Sequence, residues 1–154
     1  MKKLLLQTDN ANLAATIARL TLAIILFPHG AQKMLGWYGG YGFEGTMNFF
    51  TEVKNIPWII GLAVIFIEFI GPFFLLAGVG TRIWALLIIA DMAGIIFSSH
   101  TQYGFFINWF GNQPGEGFEY HLLVIGLALT SLVAGSGKLS VDSLLSGKKQ
   151  VSRL

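Results

Sequence analysis

The stretch PWIIGLAVIFIEFIGPFFLLAGV, residues 57–79, holds a single ionisable side chain, Glu68, in twenty-three positions. A helix needs roughly 20 residues to cross the hydrocarbon core of a bilayer, and this block is long enough to do so. Working outward, similar apolar blocks run from about Leu13 to Leu35, from about Ile83 to Ser99 and from about Phe118 to Ala134. The last two are short, so their polar ends belong in the headgroup zone. A helix satisfies its own backbone N–H and C=O groups inside lipid, so four blocks predict four helices. The period-two alternation of an outer-membrane barrel is absent. The expected fold is all-α: one integral membrane four-helix bundle filling residues 1–154.

Composition agrees with a membrane solvent. The 154 residues are 54% hydrophobic and 12% charged, which is too apolar for an ordinary soluble domain. The formal net charge is only +2, with basic residues scattered over ends and loops. That distribution offers no footprint for nucleic acid. With no cysteine, the chain has no thiol nucleophile, disulfide or Cys-ligated metal centre of its own. The start, Met1-Lys2-Lys3 and then Leu4 to Leu6, has some features of a secretory signal. Gln7 to Asn10 interrupt the apolar run, however, and the reading is a retained N-terminus.

Basic residues predict orientation. Lys2, Lys3, Arg82, Lys138, Lys148, Lys149 and Arg153 fall on one side of a four-pass chain, against Lys33 and Lys54 on the other, so both termini are expected in the cytoplasm. The basic tail 138–154 would lie on the cytoplasmic surface. The outer loops carry many aromatics and the Gly-rich run Tyr38 to Phe43, readable either as an interfacial aromatic belt or as a lid over a pocket. Gly135-Ser136-Gly137-Lys138 fails as a phosphate loop, because Leu132 and Leu139 stand where that motif needs Gly and Ser or Thr; it reads as a glycine stop for the fourth helix.

Ionisable groups inside the blocks define the interior, since each costs at least about 2.5–3.5 kcal/mol at the bilayer centre unless it faces the bundle. They are Arg19, His29 and Lys33 in the first block, Glu68 in the second, Asp91 in the third, and Glu119 with His121 at the start of the fourth. At about 100° per residue, Lys33 lies within about 40° of Arg19 and His29 within about 80°, so the three share a stripe. Gly61, Glu68, Gly71 and Gly78 fall within about 100°, the pattern of a close neighbour. Depth sorts the charges into two layers. Glu68, Asp91 and Arg19 form an inner one, where an Arg19–Glu68 pair would be structural, or the carboxylates would handle protons or orient a ligand. His29, Lys33, His100, Glu119 and His121 gather at the outer mouth, a set able to hold an anion, a quinone carbonyl or a metal. Taken alone, His100 and His121 also read as interfacial residues. No spacing enforces a haem or a metal site.

The ordered set Ala18-Arg19-Leu20, Phe27-Pro28-His29-Gly30-Ala31-Gln32-Lys33-Met34, Ile67-Glu68-Phe69-Ile70-Gly71, Leu75-Leu76-Ala77-Gly78, Thr81-Arg82, Phe118-Glu119-Tyr120 and Gly135 to Asp142 resembles the DoxX family of small bacterial membrane proteins. The resemblance implies a four-helix protein of the cytoplasmic membrane, with Arg19, His29, Lys33, Glu68 and Glu119 on the family's recurring polar positions. It also implies redox work at the membrane: a quinone or similar small molecule held among the helices, no resident cofactor evident in the chain, and soluble redox enzymes or an electron donor as partners beside the lipid bilayer. The alternatives are a non-catalytic scaffold for an oxidoreductase complex and a small-solute transporter. Glycine-bearing helix faces leave a homo-oligomer open.

Overall fold

A computed structural model describes residues 8–146; the tail expected over 138–154 therefore lies outside the described residues from 147 onward. The described residues form helices and connecting turns, with no strand among them. Helix α1 spans Leu13–Leu35, α2 Gly42–Asn48, α3 Trp58–Ala77, α4 Thr81–Ile95, α5 Glu119–Ala134 and α6 Val141–Leu145. A π-helical turn and a 3-10 turn extend α4 without a break to Tyr103. Among the described residues, three helical segments are long and apolar enough to cross a membrane: Leu13–Leu35, Trp58–Ala77 and Thr81–Tyr103. Helix α5 is apolar but shorter, with 16 residues.

Local chemistry sets the helix ends. The Asn12 side chain accepts from the Ala15 N–H and caps α1. Gly36 and Gly78, both in the left-handed region, stop α1 and α3. Gly135 ends α5, as the sequence suggested. Pro28 and Pro72 sit inside α1 and α3, where each removes a donor to the preceding turn.

The helices α1, α3, α4 and α5 pack on one another, α1 most extensively on α3 and α4 on α5. Leu22, Leu26, Leu75, Ile88 and Val124 meet in a core that is almost free of solvent contact. At Gly30 the α1 backbone rests directly on that of Glu68 and Phe69; an added Cβ would lie 2.5 Å from Phe69 Cα. This crossing matters for the site, because it places the next turn of α1 over Glu68. The glycines expected to admit a close neighbour are met by side chains: Gly61 by Phe50, Gly71 by Trp84 of the neighbouring helix α4, and Gly78 by Ser140.

The segment after α5 folds back onto the end of the molecule where the described chain starts and stops, here called the terminal end. Asp142 accepts from the N–H groups of Gly80 (2.8 Å) and Thr81 (3.0 Å), capping α4 across some sixty residues of sequence. Gly137 packs against Asn12 and Thr16 at the start of α1. The opposite, loop end carries α2, its π-helical continuation Phe49–Val53 and the long connection from Gly104 to Phe118.

Candidate functional site

Arg19 does not pair with Glu68, contrary to the expectation drawn from the sequence. Its buried guanidinium donates to the Ser136 carbonyl at 2.9 Å, to Leu76 at 2.8 Å, to Leu139 at 3.1 Å and to Leu75. These carbonyls lie at the end of α3 and in the turn after α5, so Arg19 ties the terminal end together. The forked, planar donor set of arginine suits this work. The reason is depth. Arg19 lies fourteen residues before Lys33, about 21 Å along a helix, and because α1 and α3 run antiparallel only one of the two can sit opposite Glu68.

That one is Lys33. Its Nζ donates to Glu68 Oε2 at 2.5 Å, with the Glu68 side chain 2% and the Lys33 side chain 24% exposed. Glu68 and Asp91 therefore belong with the groups of the loop end and do not form a separate inner layer with Arg19. They line, together with Lys33, His29, Tyr120 and His121, a cavity of about 1190 Å³ that reaches from mid-helix to the loops. The remaining wall is largely apolar, with Leu26 of α1, Ile60 and Val64 of α3, and Met92 and Ile95 of α4. Phe49, Phe50 and Pro57 on one side and Tyr103, Ile107 and Trp109 on the other line its loop end. Both loop-end segments thus contribute to the cavity wall, whereas the Gly-rich run Tyr38 to Phe43 is not among its lining residues.

Several polar atoms of this wall have no partner among the described residues. Asp91 is 7% exposed, yet neither carboxyl oxygen accepts a hydrogen bond. The Tyr120 hydroxyl and His121 Nδ1 are likewise buried and unpaired. A buried polar atom left without a partner costs about 1–3 kcal/mol, so such groups collect where something else pairs them. The rings are contiguous: His29 lies 5.5 Å from Tyr120, Tyr120 5.3 Å from His121, and His121 4.3 Å from His100 between centroids. His100 Nδ1 is fixed by the Glu116 carbonyl at 2.7 Å.

Of the sequence candidates, His29, Lys33, Glu68, Asp91 and His121 meet in this cavity, whereas Arg19 and Glu119 stand outside it. The Glu119 backbone N–H is held by the Phe105 carbonyl at 2.9 Å, which anchors the long loop to α5. Tyr120 stands in the sequence as one aromatic among many; its place between two polar candidates, Glu119 and His121, is the available signal. No group of three or more His, Asp or Glu residues among the described residues is arranged to hold a metal ion.

The polar stripe of α1 and the Glu68-bearing helix α3 fall within residues 14–101, and that whole segment matches the DoxX family profile. The chain belongs to the DoxX family. With its long apolar helices, this DoxX protein is a multi-pass membrane protein. It is 32% identical over 136 residues to a Bacillus subtilis protein that carries the name "Putative oxidoreductase CatD", covering 86% of this chain and 88% of that one. It is 27% identical over 147 residues to an uncharacterized protein of Haemophilus influenzae, covering 94% and 91% of the two chains. No solved structure gives a significant match.

Proposed function

We propose that this DoxX protein is a four-pass protein of the cytoplasmic membrane, with both termini on the cytoplasmic side, that binds a quinone or a chemically similar redox molecule in the loop-end cavity. The observation that carries the reading is the unpaired set on the cavity wall: the Asp91 carboxyl, the Tyr120 hydroxyl and His121 Nδ1, set among apolar side chains. A quinone offers a flat apolar ring with carbonyls that accept hydrogen bonds, and its reduced form offers hydroxyls that donate them. Tyr120 and His121 suit the first, Asp91 the second. Pockets for small molecules commonly combine such apolar walls with a few convergent polar groups. The name of the Bacillus subtilis relative supports a redox setting.

Reduction of a quinone to its hydroquinone takes two electrons and two protons. The protons can pass through the ionisable wall groups Glu68, Asp91 and His121. The electrons come from a soluble donor protein or a diffusible reductant, because this chain has no thiol to carry them. Lys33, already paired with Glu68, holds the polar face of the cavity open toward the ligand.

The test is saturable binding of a short-chain benzoquinone to the purified protein in lipid nanodiscs, compared with Asp91→Asn and His121→Leu variants whose helical circular dichroism is unchanged. Binding that weakens tenfold or more in the folded variants supports the site. Absence of saturable binding to the wild type sinks it, and moves the weight to a scaffold for other proteins or a small-solute transporter.

A further inference from the structure

Helices α3 and α4 are antiparallel neighbours that pack closely over only part of their length. Toward the terminal end Trp84 fills the space between them: it lies on Gly71, where an added Cβ would come within 3.0 Å of its ring, and stacks near Phe74 and Phe66 at 5.0 and 6.0 Å between centroids. From Glu68 and Asp91 toward the loop end the facing residues change character. Ile60, Val64 and Glu68 recur every four residues along α3, and Ala90, Gly94 and Ser98 recur every four residues along α4 and its extension. All six line the cavity.

Their rim is open on the outside as well. Ile60 is 52% exposed, and Ala90, Gly94 and Ser98 are exposed too. Gly94 has no atom within 4 Å of where a side chain would start. These residues therefore belong at once to the wall of the cavity and to the outer face of two membrane helices. Between them runs a slot about two helical turns, or about 10 Å, long, which ends inward at the carboxyl groups of Glu68 and Asp91. Its upper rim is small and largely apolar, whereas Phe49, Phe50 and Trp109 line the cavity toward the loop end.

We infer that this slot is a lateral portal: the ligand enters the cavity sideways from the bilayer, and its hydrocarbon tail remains between α3 and α4 while its polar head reaches Asp91 and Tyr120. The inference rests on the quinone-type reading above and narrows it to a molecule dissolved in the membrane. The slot's occupant is a lipid-soluble chain, because the slot is continuous with the cavity, opens toward acyl chains at mid-helix and offers only apolar or small side chains above its two carboxyl groups.

The experiment uses two probes with the same dimethoxy-methyl-benzoquinone ring, one bearing a decyl tail and one bare, and measures the binding of each to nanodisc-embedded full-length protein. Gly94→Phe and Ala90→Phe fill the slot from its open side, and Gly126→Phe, a second helical glycine with open space around it on α5 and away from the cavity, is the control. The expected result is a loss of roughly tenfold or more in affinity for the decyl probe with each slot variant, comparable to removing about two buried methylene groups. The bare ring should lose clearly less affinity than the decyl probe, and the control variant should bind both as before. Equal loss for both probes would make the slot a wall of the head-group site, and no loss for either would place entry at the loops; each overturns the portal while leaving the cavity reading intact. A change of oligomeric state in the slot variants without a change in tail affinity would show a second copy covering the slot, and also overturns it. Failure of both probes to bind the wild type would remove the quinone reading itself.

Discussion

Lys33 Nζ stands 2.5 Å from Glu68 Oε2, one helical turn beyond the point where Gly30 brings the α1 backbone onto that of Glu68. The close crossing and the ion pair are one arrangement: without a side chain at residue 30, the two helices approach closely enough for Lys33 to reach down onto a carboxylate that is otherwise sealed from solvent.

Removing one partner of that pair leaves the other charge buried. Lys33→Met should therefore destabilise the protein by about 3 kcal/mol, the lower end of what breaking a buried pair costs, since Lys33 is partly exposed. The double variant Lys33→Met with Glu68→Met should recover most of the loss. Thermal unfolding in detergent, run as a double-mutant cycle, measures both; a double variant as unstable as the sum of the singles would contradict the pairing.

Gly30→Ala tests the crossing directly. A methyl group there meets the backbone of Glu68 and Phe69, which cannot swing away as a side chain could. Its expected cost is about 2–3 kcal/mol from forced separation of α1 and α3. Gly126→Ala, in open space on α5, should be neutral or stabilising by up to about 1 kcal/mol. Equal melting temperatures for the two variants would refute the close approach.

Asp91 separates stability from function. Its carboxyl is buried without a partner among the described residues, so Asp91→Leu should leave the melting temperature unchanged or raise it, while abolishing quinone binding. Loss of stability instead would mean that Asp91 serves the fold.

Arg19 should behave in the opposite way. Arg19→Lys keeps the charge but cannot reach the carbonyls of Leu76, Ser136 and Leu139 together, so the terminal end should loosen, with about 2–4 kcal/mol lost. Hydrogen exchange at the backbone of residues 136–142 should rise sharply. Ligand affinity of the protein that remains folded should stay within about twofold, because Arg19 does not touch the cavity.

Asp142→Ala removes the acceptor for two N–H groups at the start of α4, a loss of about 1–2 kcal/mol. Asp142→Asn, which retains one acceptor oxygen, should lose less. A melting-temperature series of the three proteins checks the order.

The helical class, the approximate ends of the apolar blocks and the burial of Arg19, Glu68, Asp91 and His121 were legible along the chain. Each follows from local quantities: apolar length against bilayer thickness, the glycine that stops a helix, and the cost of placing a charge in lipid. Helical periodicity also put Lys33 and Arg19 on one stripe of α1, because 3.6 residues per turn is a property of the backbone itself. Which of the two would meet Glu68 was not legible. That depends on how far α3 slides along α1, and the register is set by Gly30 against Glu68, a contact between residues thirty-eight positions apart. The same holds for Asp142 capping α4, for Tyr120 joining the histidines, and for the slot between α3 and α4, which exists because Trp84 wedges the two helices at one end only. Sequence alone determined that Arg19, Glu68, Asp91 and His121 belong inside, since solvation acts on each side chain separately; tertiary structure alone decided which groups face one another, since that is fixed by the relative position of helices whose contacts lie far apart in the chain.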